Sequence, residues 1–271
     1  MIQKFLHFYN SSVSYYLNGH CDQLIFAFHG YSNDSHIFDI LEPALQNNYT
    51  LISIDLPIHG DTQWREPSFT PKILKEIIDK IIEQENLAKE YFLLGFSLGG
   101  RIAMSLFQHF PSQVKGMILL APDGLYKGSW YRFIAQSFLG TQLTAYLLKR
   151  PEKAKSMLEW CQKKHLISNR LYHYADGLLN SKRERTLLAA RWIIMRKMRP
   201  DLIKICKEIV HSGIPVKLIF GKGDTITPQY NANYFVQRSA PFVQFQEWEA
   251  GHLLLREKYY PQLAALFVPK F

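Results

Sequence analysis

The chain has 271 residues, of which 47% are hydrophobic and 14% aromatic, enough to bury a large core in one domain that carries an insertion. No apolar run reaches the roughly 18 residues of a membrane span, and no basic stretch precedes a long apolar one near the start, so a cytoplasmic protein is expected. Cys21, Cys161 and Cys206 have neither CxxC nor Cys/His spacing, which argues against a disulfide framework or a zinc site.

The net charge of +9 is concentrated in one segment of the chain. Residues 125–208 hold 18 Lys and Arg against 6 Asp and Glu, a net of +12, whereas the rest holds 14 against 17, a net of −3. All of the excess positive charge therefore belongs to this middle segment.

The first 124 residues alternate between strand and helix patterns. Strands are predicted, in chain order, at SVSYYL, QLIFAFHG, YTLISIDLP, KEYFLLG and VKGMILLAP. Helices are predicted at TPKILKEIIDKIIEQEN, where Thr70 is the N-cap candidate before Pro71, and at LGGRIAMSLFQHF, which ends near Pro111. This alternation is typical of an α/β fold, a mostly parallel sheet flanked by helices.

The alternation stops near Gly124 and returns some 84 residues later. Residues 125–208 contain only segments of helical type, such as TQLTAYLLKR, EKAKSMLEWCQKKH and RERTLLAARWIIMRKM. After them, IPVKLIFGKGD and FVQFQEW are predicted strands, with helices around YNANYFVQRSA and after Gly251. Residues 1–124 and 209–271 are therefore predicted to form an α/β core, and residues 125–208 an inserted all-helical cap.

Three side chains with complementary chemistry follow predicted strands. A serine hydroxyl acts as a nucleophile only with a base to take its proton and an acid to orient that base. Ser97 lies in GFSLGG between a strand and a helix, Asp224 follows a later strand in IFGKGDTITP, and His252 follows the last strand in EAGHLLL. Asp123 in APDG also follows a strand, so it is a second candidate for the acid. The carboxyl edge of such a sheet is where ligands bind.

The motifs FHGYSND, DLPIHGD, GFSLGG, GKGDTITP and AGH occur in this order and cover nearly the whole chain. Together with the order Ser, Asp, His, they resemble the α/β-hydrolase family, of the type with a helical cap inserted after the sixth strand. The resemblance implies that Ser97 is the nucleophile, His252 the general base and acid, and Asp224 the carboxylate that orients the imidazole. It also implies an oxyanion hole formed by the backbone N–H groups of Tyr31 and Leu98, without a metal or organic cofactor.

The sequence departs from the family pattern at one loop position. Ile58 stands where the D-x-P-G-H-G loop of the family has a glycine, a change that touches none of the proposed catalytic groups. His29 and His59 lie in family loops and are interpreted as structural.

The basic segment bears on the substrate. The family's helical cap covers the nucleophile, so its charge predicts a small anionic substrate. The candidates for substrate contact are Arg101, Trp130, Arg132 and Trp192, together with Arg191 and Arg196. Solvated helix faces are the alternative explanation of the charge. Nucleic acid is disfavoured because no motif for it accompanies the charge, whereas contact with an anionic membrane surface stays open.

The leading hypothesis is a serine hydrolase that cleaves an ester or C–C bond in a small anionic molecule through an acyl-enzyme. The stretch SLGGR, with Arg101, also resembles the menaquinone-pathway lyase of this fold, which eliminates pyruvate from a polycarboxylate. The third hypothesis is a ligand-binding protein without catalysis, which is disfavoured because all three triad positions are filled.

Overall fold

The computed structural model describes residues 1–45, 48–125, 137–164, 166–167 and 169–267. The chain divides into two compact units, residues 1–126 with 198–271 and residues 127–197. We call the first the core unit and the second the helical unit.

An eight-stranded sheet forms the centre of the core unit. Its strands are β1 (Ile2–Phe8), β2 (Ser11–Asn18), β3 (Leu24–Phe28), β4 (Thr50–Ile54), β5 (Tyr91–Phe96), β6 (Val114–Leu120), β7 (Val216–Gly221) and β8 (Val243–Trp248). Across the sheet they run β1-β2-β4-β3-β5-β6-β7-β8. Pairing is antiparallel between β1 and β2 and between β2 and β4, and parallel at every other step. The predicted α/β class with a mostly parallel sheet is confirmed.

The central strands are apolar throughout because both faces of the sheet are covered. Every residue of β3, β4 and β5 is buried, as is typical of parallel strands with helices on each side. The edge strand β1, by contrast, was not among the predicted strands. It pairs with β2 alone, and most of its residues, Ile2 and Phe5 included, remain exposed.

Ten α-helices occur in the described part of the chain. They are α1 (Glu42–Leu45), α2 (Pro71–Glu85), α3 (Leu98–His109), α4 (Phe138–Leu148), α5 (Pro151–Lys163), α6 (Asn169–Asn180), α7 (Lys182–Met195), α8 (Leu202–Ser212), α9 (Asn233–Ser239) and α10 (Tyr260–Ala265). Short 3-10 helices span Ser35–Leu41, Pro111–Gln113, Gln229–Ala232 and Glu257–Tyr259. The start predicted for α2 is confirmed, because the hydroxyl of Thr70 accepts from the N–H of Ile73 at 3.2 Å. No helix within these ranges is long and apolar enough to cross a membrane.

The helical unit contains α4 to α7 around a small apolar cluster. Leu148, Ala154 and Leu179 are its buried members. The sequence predicted an all-helical segment that extends to residue 208, but the unit ends at residue 197. The difference is α8, which contacts α3 and α9 of the core unit and buries Ile205 and Ile209. Helical periodicity identifies α8 as a helix but does not say which unit it packs against.

Candidate active site

Ser97 lies at the sharp turn between β5 and α3. Its backbone has φ of 52° and ψ of −114°, a left-handed conformation that is strained for a residue with a side chain. Three hydrogen bonds hold it there. The N–H of Ser97 donates to the carbonyl of Leu120 at 2.9 Å, and its own carbonyl accepts from Gly100 at 2.9 Å and from Asp123 at 2.8 Å. The turn predicted from GFSLGG is therefore built into the backbone network of β5, α3 and the loop after β6.

The glycines around Ser97 permit a close approach between α3 and the sheet. A β-carbon at Gly99 would lie 1.7 Å from the carbonyl oxygen of Phe28, at the end of β3. A β-carbon at Gly95 would lie 2.6 Å from the α-carbon of Gly100. The first turn of α3 therefore fits against β3 and β5 only because these positions have no side chain.

Ser97, His252 and Asp224 form a continuous hydrogen-bonded chain. The Oγ of Ser97 lies 2.9 Å from Nε2 of His252, and Nδ1 of His252 lies 2.8 Å from Oδ2 of Asp224. Ser97 and Asp224 are buried, and the side chain of His252 is 14% exposed. With the proton on Nδ1, the imidazole presents the Nε2 lone pair to the serine hydroxyl. This is the arrangement that removes a proton from an attacking serine.

Thr227 completes the surroundings of Asp224, and sequence reasoning missed it. Its hydroxyl donates to Oδ2 of Asp224 at 2.7 Å and lies 3.2 Å from Nδ1 of His252. The backbone N–H groups of Ile226 and Thr227 donate to Oδ1 at 2.8 and 3.0 Å. The sequence signal for Thr227 is its position three residues after Asp224, from which a threonine hydroxyl can reach back to an acidic side chain.

The pKa of Asp224 lies below its ordinary value. Burial of the carboxyl group raises the pKa, but the hydrogen bond and charge of His252 and the donors of Thr227 lower it further than burial raises it. The carboxylate therefore stays ionised at neutral pH. The stability that it contributes is present at neutral pH and is lost as the pH falls through this lowered pKa.

The alternative acid, Asp123, faces a different partner. Its Oδ2 lies 3.3 Å from the guanidinium nitrogen Nη1 of Arg101, a buried residue on α3. The sequence placed Asp123 and Asp224 at the same sheet edge, and the structure brings only Asp224 to His252. Arg101, which the sequence predicted to contact substrate, forms this ion pair inside the core unit.

The two predicted oxyanion donors lie on adjoining segments. Leu98 is the first residue of α3, so its N–H is among those for which the helix supplies no carbonyl. Tyr31 follows Gly30, whose β-carbon position lies 3.0 Å from the ring of Phe96, directly before Ser97. The loop after β3 therefore lies close to the segment that carries Ser97.

His29 and His59, interpreted from the sequence as structural, contact the backbone of the loops around Tyr31. His29 accepts from the N–H of Leu56 through Nε2 at 3.0 Å, and its Nδ1 lies 2.8 Å from the carbonyl oxygen of Gly30. His59 contacts the carbonyl oxygen of Tyr31 through Nε2 at 2.7 Å and that of Pro57 through Nδ1 at 3.0 Å. These contacts connect the loop after β4 to the loop that carries Tyr31.

Ile58, which replaces a glycine of the family pattern, has a strained backbone. Its φ is +62°, in the left-handed region that a β-branched residue rarely adopts. We expect Ile58→Gly to raise the free energy of unfolding by about 1 kcal/mol. The glycine relieves about 1–2 kcal/mol of backbone strain in the folded state, and the greater conformational entropy of the unfolded chain offsets part of this gain. The melting temperature should then rise by about 2–4 °C. Ile58→Ala is the matched control, since it keeps the β-carbon that causes the strain. Equal losses of melting temperature in both variants would show that side-chain packing outweighs the strain.

The remaining substrate candidates belong to the helical unit. Trp130 and Arg132 lie outside the described residues. Trp192 on α7 and Arg196 after it are half-buried, and Arg191 is buried. Their contact with substrate stays a prediction.

The described site contains the side-chain types that a nucleophile, a base and an acid require. The side chains around Ser97 supply a hydroxyl, an imidazole and a carboxylate in series. Within the described residues, no group of three or more His, Cys, Asp or Glu side chains is arranged to hold a metal ion.

Comparisons with known proteins concern the family and the fold of the chain. A family model described as alpha/beta hydrolase fold matches residues 23–258. The chain is 27% identical over 232 residues to a pimeloyl-[acyl-carrier protein] methyl ester esterase of Neisseria meningitidis serogroup A, a match that covers 79% of this chain and 66% of the relative. It is 24% identical to the uncharacterized hydrolase YugF of Bacillus subtilis, over 92% of this chain and 89% of that one. A thermophilic esterase from Thermogutta terrifontis superposes with a TM-score of 0.68 at 17% identity, covering 98% and 97% of the two chains.

Proposed function

Since the chain belongs to the alpha/beta hydrolase fold family and is an enzyme of that family, we propose that it is a serine hydrolase that cleaves a small, anionic ester. The observation that carries the proposal is the hydrogen-bonded series from Ser97 through His252 to Asp224. Among the relatives, the Neisseria protein is named for cleaving a methyl ester, which favours an ester over the C–C bond also considered.

Acylation begins with the hydroxyl of Ser97. His252 takes the hydroxyl proton on Nε2 while Oγ attacks the carbonyl carbon of the ester. The carbonyl oxygen becomes an oxyanion and accepts hydrogen bonds from the N–H groups of Tyr31 and Leu98. Asp224 stabilises the imidazolium that forms. The tetrahedral intermediate then collapses as His252 gives its proton to the leaving alkoxide, which departs as an alcohol and leaves an ester on Ser97.

Deacylation repeats these steps with water as the nucleophile. His252 takes a proton from water, the resulting hydroxide attacks the acyl carbon, and the same donors stabilise the oxyanion. When the intermediate collapses, the proton returns from His252 to Oγ of Ser97. The products are a carboxylic acid and the free enzyme, so no redox partner or metal takes part in the proposed cycle.

The anionic character of the substrate is proposed from the charge of residues 125–208, a net of +12. An arginine that holds a carboxylate forms a charge-assisted hydrogen bond, and Arg196 is a half-buried candidate in the helical unit. A cytoplasmic location is part of the same proposal.

The lyase alternative depends mainly on Arg101. Because Arg101 is buried and forms an ion pair with Asp123, its position gives less support to a role as ligand of a polycarboxylate. The two reactions differ in their products, since only the lyase releases pyruvate without an acyl-enzyme.

A pair of esters of equal chain length tests the proposal. We expect turnover of both p-nitrophenyl hexanoate and the p-nitrophenyl half-ester of adipic acid, measured by the release of p-nitrophenol. The half-ester should have at least a tenfold higher kcat/KM, because one charge-assisted hydrogen bond contributes about 1.5–3 kcal/mol. Ser97→Ala measured in parallel corrects for spontaneous hydrolysis.

The possible results separate the parts of the proposal. Equal kcat/KM for the two esters would contradict the proposed preference for an anionic substrate but would still support a serine hydrolase. Absence of turnover, combined with pyruvate release from a polycarboxylate, would identify the lyase. If the folded protein neither turns over a substrate nor reacts with a serine-directed phosphonate, it is a binding protein of the same fold.

A further inference from the structure

Helix α4 of the helical unit is apolar on two opposite faces. None of the residues in Phe138–Leu148 is charged. One face buries Ala145 and Leu148, the second of which belongs to the small cluster inside the unit. On the opposite face Leu139, Leu143 and Tyr146 are 69%, 53% and 47% exposed. An uncharged helix with apolar side chains on opposite faces is ordinarily covered by protein or lipid on both of them, so the exposed face of α4 lacks the surroundings that its composition requires.

The exposed side chains of α4 form one line along the helix. Positions 139, 143 and 146 are separated by four and three residues, which places them on the same edge of an α-helix. Position 150 continues the same spacing. There the guanidinium of Arg150 stacks on the ring of Tyr146, 3.9 Å from its centroid. We call Leu139, Leu143 and Tyr146 the α4 stripe. It consists of two leucines and an aromatic residue, and the basic Arg150 follows it beyond the end of the helix.

The neighbouring helix α5 repeats this pattern. Met157 and Trp160 are exposed, and Lys153 and Lys164 stand at the spacing that extends their line in both directions. Ala154, three residues before Met157, is buried in the same small cluster as Leu148 of α4. Both helices therefore pack on this cluster and carry exposed apolar side chains with aromatic and basic residues in line with them.

We propose that the α4 stripe, with Met157 and Trp160 of α5, docks the protein on an anionic lipid surface. Leucine and methionine side chains partition into the acyl region, whereas Tyr146 and Trp160 are of the type that lies at headgroup depth. The basic side chains beside them, Arg150 among them, match anionic headgroups. Residues 127–197 hold 15 Lys and Arg against 4 Asp and Glu, a net of +11, so the charge of the whole unit attracts such a surface.

This charge also argues against a second copy of the chain as the occupant. Two helical units brought face to face would place two net charges of +11 against each other, and like charges across an interface oppose association. An anionic bilayer satisfies both the apolar stripe and the positive charge around it.

The test measures binding of the full chain to vesicles in the absence of substrate, so it is independent of esterase activity. Vesicles of phosphatidylcholine alone are compared by flotation with vesicles that contain about one third phosphatidylglycerol, at low and at high salt. We expect binding to the anionic vesicles, weaker binding at high salt, and at least tenfold weaker binding to the neutral ones, because several basic side chains each contribute.

Three variants assign the binding to the stripe. Leu139→Gln with Leu143→Gln should weaken binding to anionic vesicles by about tenfold or more, since two leucines lose their contact with lipid. Replacing Lys149, Arg150 and Lys153 by Gln should weaken binding to the anionic vesicles by about tenfold or more, because each basic side chain near the surface contributes to the attraction, and should leave binding to the neutral vesicles unchanged. The matched control replaces Ile203 and Val210, which are similarly exposed on α8 of the core unit, by Gln and should leave binding unchanged.

Several results would overturn the proposal. They are the absence of vesicle binding by the wild-type chain, equal binding by the Leu139 and Leu143 double variant with an unchanged melting temperature, and equal losses in the α8 control. A dimer in sedimentation that the double variant dissociates, without vesicle binding, would show instead that a second copy covers the stripe. A double variant that does not fold is replaced by Leu143→Gln alone, for which about a threefold loss is expected.

Discussion

Ser97→Ala should lower kcat for p-nitrophenyl hexanoate by about 10⁴–10⁶-fold, and His252→Ala should do nearly the same. The alanine at position 97 removes the attacking oxygen, and the alanine at position 252 removes the group that takes its proton at 2.9 Å. Because the two residues act as one unit, the double variant should be no slower than the slower single variant. The measurement is kcat under saturating substrate, with circular dichroism to verify the fold.

Helix α3, which begins directly after Ser97, offers a matched control for this prediction. Ser105 lies within α3 and is fully buried, so Ser105→Ala removes an equal hydroxyl two turns along the helix without touching the site. It should keep wild-type kcat and the ability to react with a serine-directed phosphonate. A folded Ser97→Ala protein that retained activity within tenfold of wild type would remove Ser97 as the nucleophile.

Asp224→Asn should lower kcat by about 10⁴-fold. The carboxylate accepts the Nδ1 proton of His252 at 2.8 Å and thereby leaves Nε2 free to take the serine proton. An amide at position 224 presents an N–H to Nδ1 and favours the opposite tautomer, in which Nε2 already carries a proton. The kcat/KM should fall similarly, because the loss concerns the chemical step and not substrate binding.

Asp123→Asn is the matched control, because it makes the same change in a carboxylate at the same sheet edge. Asp123 forms an ion pair with Arg101, so its replacement should lower the melting temperature while kcat stays within about tenfold of wild type. Its backbone N–H, which donates to the carbonyl of Ser97, is unchanged by the substitution. Retained activity in Asp224→Asn together with its loss in Asp123→Asn would assign the acid to Asp123.

Local patterns predicted the interior of the fold well and its margins less well. The central strands β3, β4 and β5 are uninterrupted apolar runs, because both of their faces are covered, and such runs are visible in the sequence. The edge strand β1 has exposed apolar residues and a single neighbour, so its stability depends on pairing with β2 and not on its own composition. Periodicity likewise identifies α8 as a helix but does not say which elements it packs against.

The backbone around the site shows which details lie beyond sequence patterns. The glycines of GFSLGG predict a sharp turn, because only small neighbours permit the strained φ that Ser97 adopts there. Ile58 gave no such signal, since an isoleucine ordinarily avoids the left-handed region that it occupies here. Its conformation is imposed by the surrounding loop, whose histidine, His59, contacts the carbonyl oxygen of Tyr31.

Sequence patterns are enough to predict the α/β class and the candidate nucleophile and base, because periodicity and the order of short motifs are local properties of the chain. They do not identify the carboxylate that faces His252, since Asp123 and Asp224 both follow strands that end at one edge of the sheet. That choice depends on the adjacency of β6, β7 and β8 and on the position of Arg101, which is set by packing between residues distant in sequence. The position of Thr227 beside the imidazole is likewise set by packing between residues distant in sequence.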